Sequence, residues 1–140
     1  MSGKTFVDTN VLVYAHDATM GAKHERAREV IEELWYSAKG VLSTQVLQEF
    51  CINVRRKVKH PLSLPDTRRV VEDYLTWEVV VNDGASIVRA IEIEERYHVS
   101  FWDALILQSA EAADVDILLS EDLSDGQQYG NMRVKNPFTS

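Results

Sequence analysis

The sequence predicts a single α/β domain with a central, mostly parallel sheet of four to five strands flanked by helices. Two observations lead to this class. Short apolar runs with β-forming residues alternate along the chain with longer segments whose apolar residues recur at helical spacing. Strands that alternate with helices form parallel βαβ units, whose sheet is covered on both faces. A chain of 140 residues without a visible linker is expected to form one domain, residues 1–140.

The predicted strands are short and largely apolar. The first, Thr5–Val7, consists of β-forming residues and ends at Asp8, where a helix is expected to start. The other predicted strands are Val41–Ser43, Glu78–Val81, Val115–Leu119 and, as a candidate fifth strand, Met132–Val134.

The predicted helices begin and end at residues suited to helix termini. His24–Ala38 has apolar residues on one face, and Gly40 is expected to act as its C-cap. Thr44 is expected to cap the third helix, and Pro65 suits the first turn of a fourth. The remaining helices are expected at Asn10–Asp17, Ala85–Tyr97 and Ser100–Ala113.

Composition restricts the function. The net charge of −7 disfavours a nucleic-acid-binding protein, unless several acids serve metal ions and the bases are gathered elsewhere. The single cysteine excludes an internal disulfide and a cysteine-based zinc site. The chain shows neither a leader segment nor an apolar run approaching the roughly 18 residues of a membrane span, so a cytoplasmic protein is expected.

Four acids are the candidate catalytic and metal-binding residues: Asp8, Glu49, Asp103 and Asp122. Strand ends and the starts of the following helices share one edge of an open parallel sheet, so these distant acids can meet there. Converged carboxylates repel one another and persist only if protons or cations neutralise them. Oxygen ligands select hard ions, so the pattern predicts Mg²⁺ or Mn²⁺ and metal-assisted hydrolysis.

Each acid also has a purely structural interpretation. Asp8 is suited to cap a helix, and Asp103 forms a capping-box pattern with Ser100. Glu121 and Asp125 lie in the same loop as Asp122, so the choice of Asp122 among them is a hypothesis.

Four segments resemble the motifs of PIN domains, in the same order and spacing. Phe6–Leu12 resembles the opening motif. The segments that resemble the later acidic motifs are Gln48–Phe50, Phe101–Ile106 and Leu119–Leu123. The nearest resemblance is to VapC-type toxins, which are the ribonuclease halves of toxin–antitoxin pairs. The chain is therefore expected to have a PIN-like three-layer fold.

The resemblance implies a Mg²⁺- or Mn²⁺-dependent endoribonuclease that uses the four acids. Thr9 and Ser120 would be supporting hydroxyls, and Asn10 a supporting amide. The implied partners are an RNA substrate, a cognate antitoxin and a second copy in a homodimer. The alternative is a PIN scaffold that binds protein or RNA without catalysis.

A basic run is the candidate RNA contact. Arg55, Arg56, Lys57 and Lys59 follow the third helix and form the densest positive segment of an acidic chain. Such a run is usually a solvated surface, but it can also hold backbone phosphates.

Overall fold

A computed structural model, which describes residues 1–139, contains one six-stranded sheet flanked by helices. The strands are β1 (Thr5–Val7), β2 (Gly40–Ser43), β3 (Glu78–Val80), β4 (Ile117–Leu119), β5 (Gln128–Tyr129) and β6 (Met132–Lys135). Their order is β3-β2-β1-β4-β6-β5, and every neighbouring pair is parallel except β5 with β6. The predicted fold class is confirmed.

Six α-helices within residues 1–139 connect and cover the strands. They are α1 (Thr9–Ala15), α2 (Ala22–Ser37), α3 (Thr44–Arg56), α4 (Leu64–Tyr74), α5 (Gly84–Tyr97) and α6 (Phe101–Ala112). A short 3₁₀ helix at Ala18–Met20 follows α1, where the sequence pattern predicted that α1 would continue to Asp17. Among residues 1–139, no helix combines the length and apolar character that crossing a membrane requires.

The strands at the centre of the sheet are the most deeply buried. Phe6 and Val7 in β1, Val41 and Leu42 in β2, and Leu118 in β4 have no exposed surface. Helices pack over them, so these apolar side chains have no wet face, as expected for parallel βαβ units. The carboxyl ends of these three parallel strands lie along one edge, which places the residues that follow them close together.

The predicted strand count was too low by at least one. The additional strand, β5, consists of only two residues and pairs antiparallel with β6 through a register of Tyr129 with Met132. A two-residue strand leaves no periodic pattern in the sequence, because alternation needs about four residues to be recognised. The segment between Leu119 and Met132 was therefore expected to contain no strand.

Two predicted caps were wrong. The C-cap of α2 is Ala38, which adopts the left-handed conformation with φ of 58°, whereas Gly40 already belongs to β2. Ser43, not Thr44, caps α3, because the Ser43 hydroxyl accepts a hydrogen bond from the backbone N–H of Val46 at 3.3 Å. The predicted opening of α4 is confirmed, with Pro65 in its first turn.

Gly40 is required for a packing reason. A Cβ atom at this position would lie 2.4 Å from Cζ3 of Trp77, which real atoms do not tolerate. The Trp77 ring cannot move freely, since it packs edge-on against Trp35 and Tyr74 with ring centroids 5.1 and 5.3 Å away. The absence of a side chain at Gly40 thus lets the aromatic cluster close over β2.

We therefore expect Gly40→Ala to lower the free energy of unfolding by about 1–3 kcal/mol, as overpacked core substitutions do. Chemical denaturation of both proteins measures this difference. Gly84→Ala is the control, because a Cβ there meets no atom within 4 Å and the position opens a helix. Equal stability of Gly40→Ala and the parent would show that the ring yields easily.

Candidate active site

Asp8 is placed by the pairing of β1 with β4. Val7 lies opposite Leu119, and the backbone N–H of Asp8 donates to the Leu119 carbonyl at 3.0 Å. The residue that follows β4, Ser120, is therefore beside Asp8, and its hydroxyl donates to Asp8 Oδ2 at 2.9 Å. The backbone N–H of Thr9 donates to Oδ1 at 2.7 Å. Asp8 thus caps α1, as its structural interpretation predicted, and also faces the strand edge.

The pKa of Asp8 is raised to about 6 from an ordinary value of 3.8. Burial is the largest cause, because the carboxylate loses water, and the hydrogen bonds from Thr9 and Ser120 only partly oppose it. The nearby charges of Asp122 and Glu49 raise it further. Asp8 is therefore a carboxyl group whose ionisation is tuned by its neighbours, a common property of functional sites.

Glu49 reaches the site from α3. The Thr9 hydroxyl donates to Glu49 Oε1 at 3.0 Å, which joins the first residue of α1 to the second turn of α3. The sequence pattern placed Glu49 at the margin of the apolar stripe, and the structure shows it exposed to solvent. Its charge is thus inexpensive to maintain, and it is available to a ligand.

Asp122 comes from the loop after β4. Asn10 donates through Nδ2 to Asp122 Oδ2 at 3.1 Å, while the backbone N–H of Asp122 donates to the Ser120 hydroxyl oxygen at 3.2 Å. Burial, followed by the charges of Glu121 and Asp103, raises the pKa of Asp122. These contacts direct Asp122 towards the same edge as Asp8.

The other two acids of this loop are occupied elsewhere. Glu121 pairs with Lys23 and accepts a hydrogen bond from the Tyr14 hydroxyl at 2.8 Å. Burial would raise its pKa, but the contacts with Lys23 and Tyr14 outweigh burial and lower it. Asp125 accepts from the backbone N–H of Asn136 at 2.9 Å. Of the three acids, only Asp122 lies with the other candidates.

Asp103 lies in the first turn of α6. The hydroxyl of Ser100, the N-cap, accepts from the backbone N–H of Asp103 at 3.1 Å. The reciprocal bond of a capping box, from the Ser100 backbone to the Asp103 carboxylate, is absent within residues 1–139. The predicted capping box is thus only half formed, and the carboxylate of Asp103 is left for other contacts.

All four acids line one cleft of about 90 Å³. Asp8 is buried at its base, Asp103 is half-buried, and Glu49 and Asp122 are exposed at its mouth. The structure therefore brings together the residues that the sequence pattern singled out, together with Thr9 and Asn10. Residues that sequence reasoning missed also line the cleft: Gln45, Asn53, Trp102 and Ile106.

A signal for two of the missed residues was present in the sequence. Gln45 and Asn53 lie four residues before and after Glu49 in α3, so all three share one helical face. Once Glu49 is assigned to the cleft, this spacing places both amides beside it.

The donor set fits a hydrated divalent cation better than a tightly caged one. Among residues 1–139, no three histidine, cysteine or acidic side chains are already arranged to hold a metal ion. Mg²⁺ keeps several of its waters in proteins and often uses only one or two carboxylates. The cleft offers only oxygen-bearing acids as charged ligands, and burial followed by neighbouring charges raises the pKa of two of them, Asp8 and Asp122. These properties suit a hard cation that retains water.

A larger cavity lies away from the acids. It has a volume of about 350 Å³ and is lined mainly by α2 and α4, with His16, Trp35 and Tyr74 among its residues. Asp73 is its only acidic residue, and His16 is bonded to the Tyr74 hydroxyl at 2.7 Å. Size therefore favours this cavity, but the convergence of carboxylates favours the smaller cleft as the reactive site.

The basic run extends from the same face of α3. Arg56 ends the helix and Lys57 is its C-cap, one turn beyond Asn53. Within the described residues, neither these two nor Arg55 and Lys59 form an ion pair. By contrast, the arginines of α4 are paired, Arg68 with Glu72 and Arg69 with Asp66. The run is thus free to bind an anion beside the cleft.

Comparison with protein-family models matches residues 5–124 to the PIN domain. The match covers most of the chain, and the protein belongs to the PIN-domain family. Comparison with curated protein sequences found no significant match. The predicted family is confirmed.

Solved structures with the same fold come from toxin–antitoxin systems. A toxin–antitoxin complex from Klebsiella pneumoniae contains a chain with a TM-score of 0.70 and 17% identity, and the alignment covers 96% of this chain and 98% of that one. VapC20 from Mycobacterium tuberculosis, described as a toxin that cleaves the sarcin–ricin loop, has a TM-score of 0.65 and 21% identity, and the alignment covers 85% of this chain and 92% of that one. A chain of DNA-bound VapBC from Salmonella typhimurium has a TM-score of 0.66 and 18% identity, and the alignment covers 96% of this chain and 98% of that one.

The raised pKa of Asp8 makes stability depend on pH. Without divalent cations, the folded protein holds the Asp8 proton more tightly than the unfolded chain does. The contribution of this proton to the free energy of unfolding is fully present below pH 3.8 and is lost as the pH rises through about 6. We expect the free energy of unfolding of the parent to fall relative to Asp8→Asn across this range, by on the order of 3 kcal/mol.

Urea denaturation at a series of pH values in EDTA measures the difference. In an Asp122→Asn background the fall should end at lower pH, because one of the charges that raise the pKa of Asp8 is gone. A difference that stays constant between pH 4 and 7 would contradict this account of Asp8.

Proposed function

We propose that this PIN-domain protein is a divalent-metal-dependent endoribonuclease that hydrolyses RNA phosphodiester bonds, and that it is the toxin of a toxin–antitoxin pair. The observation that carries the proposal is the convergence of Asp8, Glu49, Asp103 and Asp122 in one open cleft. Family membership and the fold shared with VapC20 support it, since that protein is described as a toxin that cleaves the sarcin–ricin loop.

The role proposed for each acid follows from how deeply it is buried in the cleft. Asp8 is fixed by the Ser120 hydroxyl and the Thr9 backbone, so its carboxylate holds one orientation at the base of the cleft. Burial and, after it, the charges of Asp122 and Glu49 raise its pKa, and a cation held there would offset this cost of ionisation. Glu49 and Asp122, held by Thr9 and Asn10, flank the opening through which a phosphate would enter.

A bound Mg²⁺ or Mn²⁺ ion would supply a water of lowered pKa and a positive charge opposite the phosphate oxygens. The residues that would hold it are Asp8 and Asp103, with Glu49 and Asp122 as further carboxylates. Without such an ion, the four acids would repel the phosphate backbone of RNA.

The basic run would bind the RNA backbone outside the cleft. Gln45, Glu49 and Asn53 share one face of α3, and Arg56 and Lys57 continue it for one further turn. An RNA strand that leaves the cleft along this face would pass from the carboxylates to basic side chains that form no ion pair among residues 1–139.

The proposed partners are an antitoxin and a second copy of the chain. The neighbouring structures include chains from VapBC complexes, which supports an antitoxin partner. Ile87, Val88 and Ile91 lie on one side of α5 with exposed fractions of 48%, 61% and 47%. Exposed apolar residues grouped on one helix favour an interface, which supports a homodimer.

The first test is cleavage of total cellular RNA with Mg²⁺ or Mn²⁺. We expect cleavage that EDTA abolishes, and a loss of at least about 100-fold in Asp8→Asn or Asp103→Asn with the fold retained. Asp125→Asn is the control, since this acid lies in the loop of Asp122 but is bonded to Asn136. Its activity should match the parent.

Two results would contradict the proposal. Cleavage that persists in EDTA would exclude the metal-dependent mechanism. RNA binding without any cleavage would favour a PIN scaffold that only binds.

The second test concerns the basic run. Binding of single-stranded RNA to the Asp8→Asn protein should weaken as salt is added. Binding releases cations that are condensed on the RNA, and this release is less favourable at a high salt concentration. Adding Arg56→Gln and Lys57→Gln should reduce the slope of log affinity against log salt by about 1.4, or about 0.7 for each phosphate that the protein no longer neutralises. Fluorescence anisotropy measures the slope.

The matched control replaces the paired arginines of α4, Arg68→Gln and Arg69→Gln, which remove the same charge. We expect these changes to alter the slope less. Equal slopes for both double variants would show that only net charge matters and that the run is not an RNA contact.

A further inference from the structure

Gln45 carries a buried hydrogen-bond acceptor without a partner. The residue lies in the first turn of α3 and is only 7% exposed. Its Nε2 donates to the backbone carbonyl of Trp102 at 3.3 Å, but its Oε1 has no partner among residues 1–139. Buried polar atoms are nearly always bonded in native proteins, so an exception needs an explanation.

The orientation of the amide is determined by its neighbour. Rotating the amide by 180° would place Oε1 against the Trp102 carbonyl, and two acceptors would then face each other. The nitrogen therefore stays on Trp102, and the oxygen stays free. This anchoring also ties α3 to the start of α6, one residue before Asp103.

The position of Gln45 indicates which kind of group would satisfy the free oxygen. Gln45 lines the cleft of the four acids, one helical turn from Glu49. The charged groups that line this cleft are all carboxylates, so none of them can donate a hydrogen bond when ionised. The Thr9 hydroxyl and the Asn10 amide, which also line the cleft, already donate to Glu49 and Asp122. A ligand can supply the missing donor, and the carboxylates favour a cation that brings water.

We propose that Gln45 Oε1 accepts a hydrogen bond from a water bound to the divalent cation, which makes Gln45 a positioning residue for the hydrated ion. The proposal rests on the proposed metal-dependent function and adds a residue to it. It also agrees with the tendency of Mg²⁺ to keep several of its waters when only one or two carboxylates bind it.

The test measures Mn²⁺ binding without RNA, by isothermal titration calorimetry and by the electron paramagnetic resonance signal of free Mn²⁺. Gln45→Met keeps the length of the side chain and removes the acceptor. We expect its dissociation constant for Mn²⁺ to rise about 10-fold, within the range for groups that support metal ligands. Its melting temperature in EDTA should stay close to that of the parent, since an unpaired buried acceptor is removed together with one donor.

A further variant separates a ligand role from a structural one. Gln108→Met is the matched control, because Gln108 is equally buried at 5% exposed but lies outside the cleft and donates to Ser109. It should bind Mn²⁺ as the parent does.

The outcomes distinguish this inference from the proposed function. If the parent binds Mn²⁺ and Gln45→Met binds it equally well, the inference is overturned and the proposed function stands. Equally weakened binding in Gln108→Met would show a general effect of removing a buried amide and would also overturn the inference. If the parent binds no Mn²⁺, the proposed function fails, and the inference fails with it.

Discussion

The buried carboxylate of Asp8 is the constraint on which the site depends. The parallel pairing of β1 with β4 brings Asp8 beside Ser120, and the helices that follow β1 and β2 bring Glu49 alongside. The same strands that form the core thus force like charges together at their carboxyl ends. This arrangement opposes stability in the absence of a counter-ion. Burial, with a smaller contribution from these charges, raises the pKa of Asp8 to about 6.

The sequence was sufficient to predict the fold class and the meeting of the four acids, because both follow from one regularity. Parallel strands that alternate with helices share their carboxyl edge, so residues after Val7, after Leu119 and early in α3 and α6 must lie near one another. This topological argument needs no side-chain detail. It therefore succeeded even though the individual signals at Asp8 and Asp103 could equally indicate helix caps.

The details that the sequence could not predict depend on contacts between distant residues. Gly40 was interpreted as a helix cap because the ring of Trp77, which excludes a side chain there, is remote in the sequence. The half-formed capping box at Asp103 and the pairing of Glu121 with Lys23 depend in the same way on neighbours brought by the fold. The unpaired oxygen of Gln45 becomes visible only once α3 and α6 are placed together.

The central claim is that folding assembles a cleft of carboxylates whose charge a hard cation offsets. Crystals soaked in Mn²⁺, with diffraction recorded above and below the manganese absorption edge, test it most directly. The account predicts an anomalous peak in the cleft, within contact of Asp8 or Asp103 directly or through water. A fully ordered cleft without such a peak, in crystals of a protein that cleaves RNA in Mn²⁺, would contradict it.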